Sequence, residues 1–252
     1  MWNPFDFSGK KIIVAGATSG MGKATAIKLS QQGALVQLIG RSQEKLDEVY
    51  QILPGSGHRT FVKDLSQSDG YKDILDDIVS DDKKIDGLVY CAGLAKILPV
   101  SMLSKKNMDE SMTVNLYSFV ELVSLLSKKK YHADCASIVG VSSISTQYPQ
   151  KCQGIYVATK SAMNGIVTSM AMELAEKGIR INTVLPSSTK TKMYDEAIEG
   201  KTDEEKRRIE EKQVLGLLEP EDVADVIMFL LSDAAKMITG RSIYADAGFI
   251  NF

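Results

Sequence analysis

Residues 11–32 read KIIVAGATSGMGKATAIKLSQQ. The apolar run 11–15 predicts a short buried strand, and a helical pattern begins at Gly22. Gly16, Gly20 and Gly22 lie in the turn between the two. Glycines in such a turn let the backbone approach a pyrophosphate closely, and a helix N-terminus then offers free N–H groups to it. The segment therefore predicts a nucleotide-binding loop between the first strand and the first helix.

The rest of the chain alternates between short apolar runs and longer amphipathic stretches. The apolar runs cover residues 11–15, 34–39, 60–62, 87–91, 137–141, 180–185 and 242–245. The amphipathic stretches cover residues 22–32, 42–53, 68–80, 107–128, 156–177 and 220–232. Continuously apolar strands joined by helices are typical of a parallel sheet covered on both faces. We therefore predict one α/β domain over residues 1–252, a single-domain Rossmann-type doubly wound sheet of about seven parallel strands with helices on both faces.

Residues 189–213 interrupt this alternation. They are dominated by charge, with KTDEEKRR at 201–208, and they predict one or two exposed helices. Ligands of open α/β sheets bind outside the carboxyl ends of the strands, and this segment leaves the strand at 180–185 at that end. The segment is either a solvated helical surface or a lid over a substrate.

Composition and charge exclude several classes of function. Of the 252 residues 44% are hydrophobic, and 30 basic and 32 acidic residues give a net charge of −2. A balanced, interspersed charge gives no surface for nucleic acid or an anionic membrane. Three cysteines without a C-x-x-C pair and only two histidines predict neither a disulfide framework nor a metal site. With no secretory signal and no long apolar run, we expect a soluble cytoplasmic protein.

The end of the second strand indicates which nicotinamide nucleotide is bound. It reads LIGRS at 38–42, with no carboxylate before Glu44 to accept a hydrogen bond from a ribose 2′-hydroxyl. A guanidinium at Arg41 can instead pair with a 2′-phosphate, and Gly40 leaves room for that group. We predict that Arg41 and Ser42 bind the cofactor and that NADP(H) is preferred over NAD(H). The alternative is a surface arginine at the start of a helix.

Proton chemistry is predicted at Tyr156 and Lys160. Their spacing of four places both on one face of a helix. An ammonium beside a phenol lowers the phenol pKa from about 10 towards the working range of an acid or base. This pair alone is too common to indicate catalysis. Two further residues support it, because Ser143 ends an apolar strand and Asn115 lies in the amphipathic stretch before that strand.

These residues, with the glycine loop, resemble the classical short-chain dehydrogenases/reductases over essentially the whole chain. Within that family the chain is most similar to the 3-oxoacyl-(acyl-carrier-protein) reductases. Further matching segments are Asp64-Leu65 after the third strand, Cys91-Ala92-Gly93 after the fourth, Pro186 to Thr191 after the sixth, and Asp246-Ala247-Gly248 near the end.

The resemblance implies catalytic roles for four residues. Tyr156 would protonate the nascent alkoxide or deprotonate the alcohol, and Ser143 would hydrogen-bond the substrate oxygen. Lys160 would hold the nicotinamide ribose and tune Tyr156. Asn115 would position a water that relays protons to Lys160.

The resemblance also implies a set of cofactor-binding residues. Asp64 would contact the adenine ring, and Thr191 or its neighbours would hold the nicotinamide side. The full set is Gly16, Thr18, Ser19, Gly20, Met21, Gly22, Arg41, Ser42, Asp64, Leu65, Cys91, Ala92, Gly93, Tyr156, Lys160, Pro186, Thr189 and Thr191.

Three positions depart from the family pattern. Cys91 replaces an asparagine that steadies the neighbouring backbone, and Ser187 replaces a glycine that follows Pro186. Thr189 stands where relatives carry a branched apolar residue. None of these changes removes a proton-transfer group, so we expect an active enzyme.

The expected activity is NADPH-dependent reduction of a ketone to a secondary alcohol. One candidate substrate is a 3-oxoacyl thioester on a carrier protein. The alternative within the family is a sterol, sugar or polyol dehydrogenase, for which Gln147, Tyr148, Gln150 and Gln153 offer hydrogen-bonding groups. A non-catalytic nucleotide sensor is a different class of function, and the retained catalytic set argues against it. The resemblance further implies a homotetramer formed through the helices at 107–128 and 156–177 and the C-terminal strand.

Overall fold

A computed structural model of the chain describes residues 3–67 and 69–249. The two ends of the predicted domain and Ser68, where the third predicted helix begins, lie outside these residues. The strands are β1 Lys11–Ala15, β2 Leu35–Gly40, β3 Arg59–Val62, β4 Ile85–Tyr90, β5 His132–Val141, β6 Arg180–Pro186 and β7 Ser242–Ala245. The helices are α1 Gly20–Gln31, α2 Gln43–Gln51, α3 Tyr71–Ile78, α4 Lys105–Met112, α5 Ser118–Leu126, α6 Gly154–Ala175, α7 Lys192–Ile198, α8 Asp203–Glu210 and α9 Pro220–Leu231.

The strands form one parallel sheet in the order β3-β2-β1-β4-β5-β6-β7. The chain winds outwards to β3 and then returns past β1 to build the other half of the sheet from β4. The direction of winding therefore reverses between β1 and β4, where the loops at the carboxyl ends of the strands diverge and leave a crevice for a ligand. This architecture confirms the predicted doubly wound α/β fold.

Two hydrophobic layers cover the sheet, one on each face. Alternate side chains of β1 enter different layers, because successive residues of a strand point to opposite faces. Ile12 and Val14 pack with α1, α2 and α9, whereas Ile13 and Ala15 pack with α3, α5 and α6. Burial on both faces explains why the strands are continuously apolar in sequence.

The predicted helix at 107–128 contains one irregular turn. It begins at Lys105 behind Ser104, whose side chain accepts a hydrogen bond from Asn107 N at 3.2 Å. A π-helical turn at Thr113–Tyr117 then separates α4 from α5. Such a turn inserts a residue without ending the helix and leaves little trace in the apolar periodicity. The helix predicted for this stretch is confirmed, and the π-helical turn that contains Asn115 was not predicted.

The fifth strand begins five residues earlier than the predicted run at 137–141. Its first residue pairs with Ile85, and the register then shifts before Ser137 pairs with Gly87. Cys135 adopts a positive φ of 62° in this irregular part. Polar and exposed residues in the bulge hide the start of the strand from a hydrophobicity pattern.

The charged segment at 189–213 contains two exposed helices, α7 and α8. Neither helix contains a buried residue. A hydrogen bond from Tyr194 Oη to Glu210 Oε1, at 3.2 Å, connects the two. A bridge between Thr189 and Leu218 fixes the start of the segment. Two exposed helices agree with the prediction, and the lid function stays a prediction. Within residues 3–67 and 69–249, no helix is long and apolar enough to cross a membrane.

Candidate active site

The glycine loop forms a tight cradle at the carboxyl end of β1. Gly16 has a φ of +83°, and a Cβ there would lie 2.7 Å from Ala92 N. A Cβ on Gly22 would lie 2.2 Å from Gly16 O. Side chains are therefore excluded from both positions, and α1 begins within the loop at Gly20 with free N–H groups. These features fit the pyrophosphate of a dinucleotide.

A cavity of about 740 Å³ opens over this cradle. Most of the predicted cofactor residues line it, namely Gly16, Thr18, Ser19, Gly20, Met21, Gly22, Arg41, Asp64, Leu65, Cys91, Ala92, Gly93 and Thr191. Ser42 does not border it. Its hydroxyl caps α2 and accepts a hydrogen bond from Lys45 N at 3.4 Å, and its role in cofactor binding stays a prediction.

The rim of this cavity carries two basic side chains. Arg41 is exposed there and pairs with no carboxylate within the described part of the chain. Lys63 follows the neighbouring strand, and its N–H donates to Gly40 O at 2.8 Å. Gly40 lines this cavity, and a Cβ there would lie 2.7 Å from Thr18 Cγ2. The glycine therefore makes room for Thr18, and its predicted role in leaving space for a phosphate stays a prediction.

Lys63 was missed by the sequence analysis, although it directly precedes the predicted Asp64. Its Nζ lies 3.1 Å from Asp69 Oδ1 and 5.0 Å from the ring centre of Tyr71. Asp64 Oδ1 accepts a hydrogen bond from Ser66 N at 2.9 Å. This bond is the main cause that lowers the pKa of Asp64, and the charges of Arg41 and Lys63 add to it. The rim therefore holds two cations around one ionised carboxylate.

A second cavity, of about 510 Å³, adjoins the first. Met21, Gly93 and Thr191 border both cavities, so the two are neighbours in space. Four other predicted site residues line the second cavity but not the first, namely Ser143, Tyr156, Pro186 and Thr189. Asn115 and Lys160 are buried, at 0% and 3% exposure, and border neither cavity.

Tyr156 and Lys160 lie on one face of α6 as predicted, with Lys160 Nζ 5.9 Å from the centre of the Tyr156 ring. The predicted lowering of the tyrosine pKa by the ammonium is not found. Burial raises the pKa of Tyr156, and a hydrogen bond with Ser143 opposes that rise. Burial also lowers the pKa of Lys160 to about 8, and Nζ donates to Val141 O at 2.7 Å. Desolvation is the largest cause of the shift in both residues.

Ser143 shares its hydroxyl with a neighbour that the sequence analysis overlooked. The Ser143 and Ser145 hydroxyl oxygens lie 2.5 Å apart, and Ser145 N donates to Ser143 Oγ at 3.1 Å. Both residues are buried and both line the second cavity. The sequence offered one signal, the repetition of serine at 142, 143 and 145. The cavity thus presents two adjacent hydroxyls beside the phenol of Tyr156.

Asn115 is held by the backbone that separates the two cavities. Its Oδ1 accepts from Leu94 N at 2.7 Å, and its Nδ2 donates to Leu94 O at 3.0 Å. Nδ2 also donates to Thr159 Oγ1 at 2.8 Å. Both N–H groups of the amide are therefore used within the protein. A water relay through Asn115 stays a prediction, and its side chain has only a second lone pair on Oδ1 left for it.

The three departures from the family pattern have local effects. Burial raises the pKa of the Cys91 thiol to about 12, so Cys91 stays a neutral thiol in the wall of the first cavity. The Ser187 hydroxyl donates to Gln213 Oε1, at the end of the inserted segment. Thr189 Oγ1 donates to Ser187 O at 3.1 Å. Ser187 thus connects the loop after β6 to the base of the two exposed helices.

Comparisons with known proteins agree with this geometry. A family model described as enoyl-(acyl carrier protein) reductase matches residues 16–250. The 3-oxoacyl-[acyl-carrier-protein] reductase FabG of Thermotoga maritima is 31% identical over 245 residues, which cover 96% of this chain and 98% of that protein. The L-xylulose reductase of Caenorhabditis elegans is 28% identical over 256 residues, covering 98% of each chain. The structure of a short-chain type dehydrogenase/reductase from Mycobacterium ulcerans superimposes with a TM-score of 0.89 at 28% identity, covering 96% of this chain and 90% of that one.

Proposed function

Because the chain belongs to the short-chain dehydrogenase/reductase family, we propose that it uses NADPH to reduce a ketone to a secondary alcohol. Membership makes it an oxidoreductase that acts on CH–OH and C=O groups with a nicotinamide cofactor. The choice of NADPH, the direction of reaction and the substrate are the proposal.

One observation carries the proposal. Ser143 and Tyr156 line a cavity that adjoins the glycine cradle at Gly93, so a substrate oxygen bound between them faces the cofactor cavity. Lys160 is buried next to the tyrosine, 5.9 Å from its ring centre. An acid, an oxygen-binding hydroxyl and a dinucleotide cradle together suit carbonyl reduction and have no evident use in a protein that only senses a nucleotide.

Two residues of the chain have distinct roles in the proposed reaction. A bound nicotinamide supplies the hydride. The Ser143 hydroxyl donates to the substrate oxygen and stabilises the negative charge that develops there. Tyr156 donates its phenolic proton to that oxygen, and its burial favours the neutral form from which the proton is given. The product is the secondary alcohol.

Lys160 and Asn115 support the proton donor in this proposal. Lys160 Nζ lies close to Gly93, where a Cβ would be 3.5 Å from it, and would bind the ribose hydroxyls of the cofactor. Its ammonium lies 5.9 Å from the centre of the Tyr156 ring, on the same face of α6. Asn115 fixes the backbone of Leu94, next to the glycine that Lys160 approaches.

Two basic side chains support the preference for NADPH. Arg41 lies at the rim of the first cavity with its guanidinium unpaired among the described residues, and Lys63 lies on the adjacent strand end. A 2′-phosphate attracts both cations, and a planar guanidinium can pair with it through two hydrogen bonds. Asp64 is the nearby carboxylate, and Ser66 N already binds one of its oxygens.

Two substrate classes are candidates. A 3-oxoacyl thioester on a carrier protein is supported by the similarity to FabG of Thermotoga maritima. A sugar or polyol is supported by the similarity to an L-xylulose reductase and by the polar lining of the second cavity, which includes Ser145, Gln150 and Gln153. The basic side chains Lys96, Lys190 and Lys192 near this region are each paired with a glutamate.

The proposal includes a homotetramer in the cytoplasm. Tyr117 beside α5 and Met172 on α6 are 52% and 76% exposed, on the two helices expected to form the interface. Met237 and Tyr244 add exposed apolar surface near the C-terminal strand. Light scattering that gives a monomer mass at micromolar concentration would contradict the tetramer.

The test of the proposed function is oxidation of NADPH in the presence of a ketone panel. The panel contains an acetoacetyl thioester, keto-sugars, simple ketones and a keto-steroid, each assayed with the wild type and with Tyr156→Phe. We expect turnover of at least one ketone by the wild type and its loss in the variant. Equal rates in the two proteins would exclude Tyr156 as the proton donor.

A further inference from the structure

Thr159 lies between the catalytic tyrosine and lysine in sequence and is buried at 1% exposure. Its hydroxyl donates to Tyr156 O at 2.8 Å, one turn back along α6. The same hydroxyl accepts the Nδ2–H of Asn115 at 2.8 Å, from a residue 44 positions away. One oxygen thus connects the catalytic helix to the π-helical turn at Thr113–Tyr117.

The connection continues to the loop between the two cavities. Asn115 binds both backbone groups of Leu94, at 2.7 Å through Oδ1 and at 3.0 Å through Nδ2. A Cβ on Gly93 would lie 3.5 Å from Lys160 Nζ, so this loop also packs against the catalytic lysine. Hydrogen bonds therefore connect Leu94 through Asn115 and Thr159 to Tyr156. Gly93, next to Leu94, packs against Lys160.

We propose that Thr159 is a positioning residue, whose hydroxyl sets Tyr156 and Lys160 in register with the Gly93–Leu94 wall of the cofactor cavity. The inference rests on the proposed function, because it assigns Thr159 a role in that reaction. Three properties support it. The hydroxyl uses its only proton and accepts a second bond, the side chain of Asn115 has no unused N–H, and the hydrogen bond between these two buried residues is shielded from water.

The hydroxyl has no substitute within this network. A valine at 159 would keep the shape of threonine but leave one N–H of Asn115 without an acceptor in the interior. The Asn115 amide would then rotate or bind a water molecule, and either change would weaken its two hydrogen bonds to the Leu94 backbone. A serine at 159 would keep both hydrogen bonds and lose only a methyl group.

Thr168 provides a matched control on the same helix. Its hydroxyl also bonds back to the helix backbone, to Asn164 O at 3.1 Å, but it is exposed and binds no side chain of another element. Thr168→Val therefore makes the same chemical change to α6 without touching the connection to Asn115.

The experiment compares Thr159→Val, Thr159→Ser and Thr168→Val with the wild type, using a ketone that the Tyr156→Phe comparison shows to be reduced. We expect Thr159→Val to lower kcat by about tenfold to hundredfold and to move the alkaline limb of the pH profile upward, because a small displacement of a catalytic group is costly. KM for NADPH should change by less than about threefold. Thr159→Ser and Thr168→Val should keep wild-type values.

Amide hydrogen exchange gives a readout that does not depend on turnover. The peptide covering residues 91–97 contains the Leu94 N–H bound by Asn115, and its exchange should quicken in Thr159→Val alone. Unchanged exchange in Thr159→Val overturns the proposal, and so does equal impairment of the valine and serine variants. If no ketone is reduced, the proposed function fails while the exchange result still decides the role of Thr159.

Discussion

The ammonium nitrogen of Lys160 donates a hydrogen bond to the backbone carbonyl of Val141, 2.7 Å away at the end of β5. The cation is thereby held in the interior, where burial lowers its pKa to about 8 from the usual 10.5. Between these values the unfolded chain binds more protons at this lysine than the folded chain does. The contribution of Lys160 to folding stability must then increase as the pH rises through that window.

The free energy of unfolding, measured as a function of pH, should show the effect of burying the Lys160 ammonium. We expect the free energy of unfolding of the wild type, relative to Lys160→Met, to rise between pH 8 and 10.5 by about 1–3 kcal/mol. Urea unfolding at four pH values measures it. Lys45→Met, at an exposed position on α2, should show no such trend. Parallel curves for Lys160→Met and the wild type would contradict the lowered pKa.

The pH dependence of turnover should report Tyr156. Burial raises its pKa, so the neutral phenol that donates a proton in reduction persists into alkaline solution, while alcohol oxidation needs the phenolate. We expect kcat/KM for oxidation to rise with pH over the range in which kcat/KM for reduction falls. Profiles measured in both directions with one ketone–alcohol pair test this.

Ser143→Ala should shift those profiles upward and lower both rates. Its hydrogen bond is the contribution that opposes the rise in the pKa of Tyr156, and its hydroxyl also stabilises the substrate oxygen. We expect the apparent pKa to increase and kcat to fall about 10²–10³-fold. A downward shift of the apparent pKa would show that Ser143 does not stabilise the phenolate.

Cofactor preference should depend on the two cations at the rim of the first cavity. Arg41→Ala should weaken NADPH binding by about 1–3 kcal/mol, because a charge-assisted contact is lost, with little effect on NADH. Lys63→Met should act in the same direction but less, because its ammonium is shared with Asp69. Fluorescence titration of each variant with both nucleotides gives the dissociation constants.

Arg59→Ala is the control for this experiment. Arg59 lies on β3 but pairs with Asp77 and borders neither cavity. It should leave both dissociation constants unchanged. Equal weakening of NADPH and NADH by Arg41→Ala would remove the basis for a 2′-phosphate site at this rim.

The fold was accessible from sequence because its determinants are local. Strands that are buried on both faces need an apolar residue at nearly every position, and the turn at 16–22 needs glycines for its backbone conformation. Both requirements are visible in a short stretch of sequence. The π-helical turn at Thr113–Tyr117 depends instead on how Asn115 meets Leu94, a contact 21 residues away. Hydrophobic periodicity carries no record of such a contact.

Most of the site residues predicted from sequence line the two cavities, but their electrostatics were not predicted. The spacing of Tyr156 and Lys160 correctly placed them on one helix face, yet the spacing could not reveal that Val141 O receives the ammonium. Desolvation is a property of the packed interior, and it decides the sign of both pKa shifts here. The cap that Ser42 forms on α2 was not predicted either, although serine is a common cap before a helix.

The glycine cradle allows a sharp contrast between two substitutions to alanine. Gly22→Ala would place a Cβ 2.2 Å from Gly16 O, so the turn must shift, and we expect lost NADPH binding and a lower melting temperature. Gly165→Ala on α6 meets nothing within 4 Å and should stabilise the protein by about 0.5–1 kcal/mol. Thermal unfolding and NADPH titration of both variants provide the test. Retained binding in a folded Gly22→Ala would argue against a phosphate cradle at this turn.

The paired hydroxyls of Ser143 and Ser145 should distinguish the two candidate substrate classes. Their oxygens lie 2.5 Å apart in the second cavity, close enough to bind a carbonyl oxygen and a hydroxyl on the adjacent carbon of a keto-sugar. If the substrate is of this class, 1-hydroxybutan-2-one should be reduced with a kcat/KM about 5–10 times that of pentan-3-one, which replaces the hydroxyl by a methyl group. That ratio corresponds to one additional hydrogen bond of about 1 kcal/mol.

Ser145→Ala should reduce this ratio to near one, because the bond to the second oxygen is lost while Ser143 and Tyr156 remain. Steady-state kinetics of the wild type and the variant with both ketones measure the two ratios. Ser145 lies within hydrogen-bond distance of Ser143, so we expect some loss of kcat with both ketones. The test therefore rests on the ratio of the two kcat/KM values and not on either value alone. A wild-type ratio near one, together with efficient reduction of an acetoacetyl thioester, would instead favour the 3-oxoacyl class, which carries no hydroxyl beside its ketone.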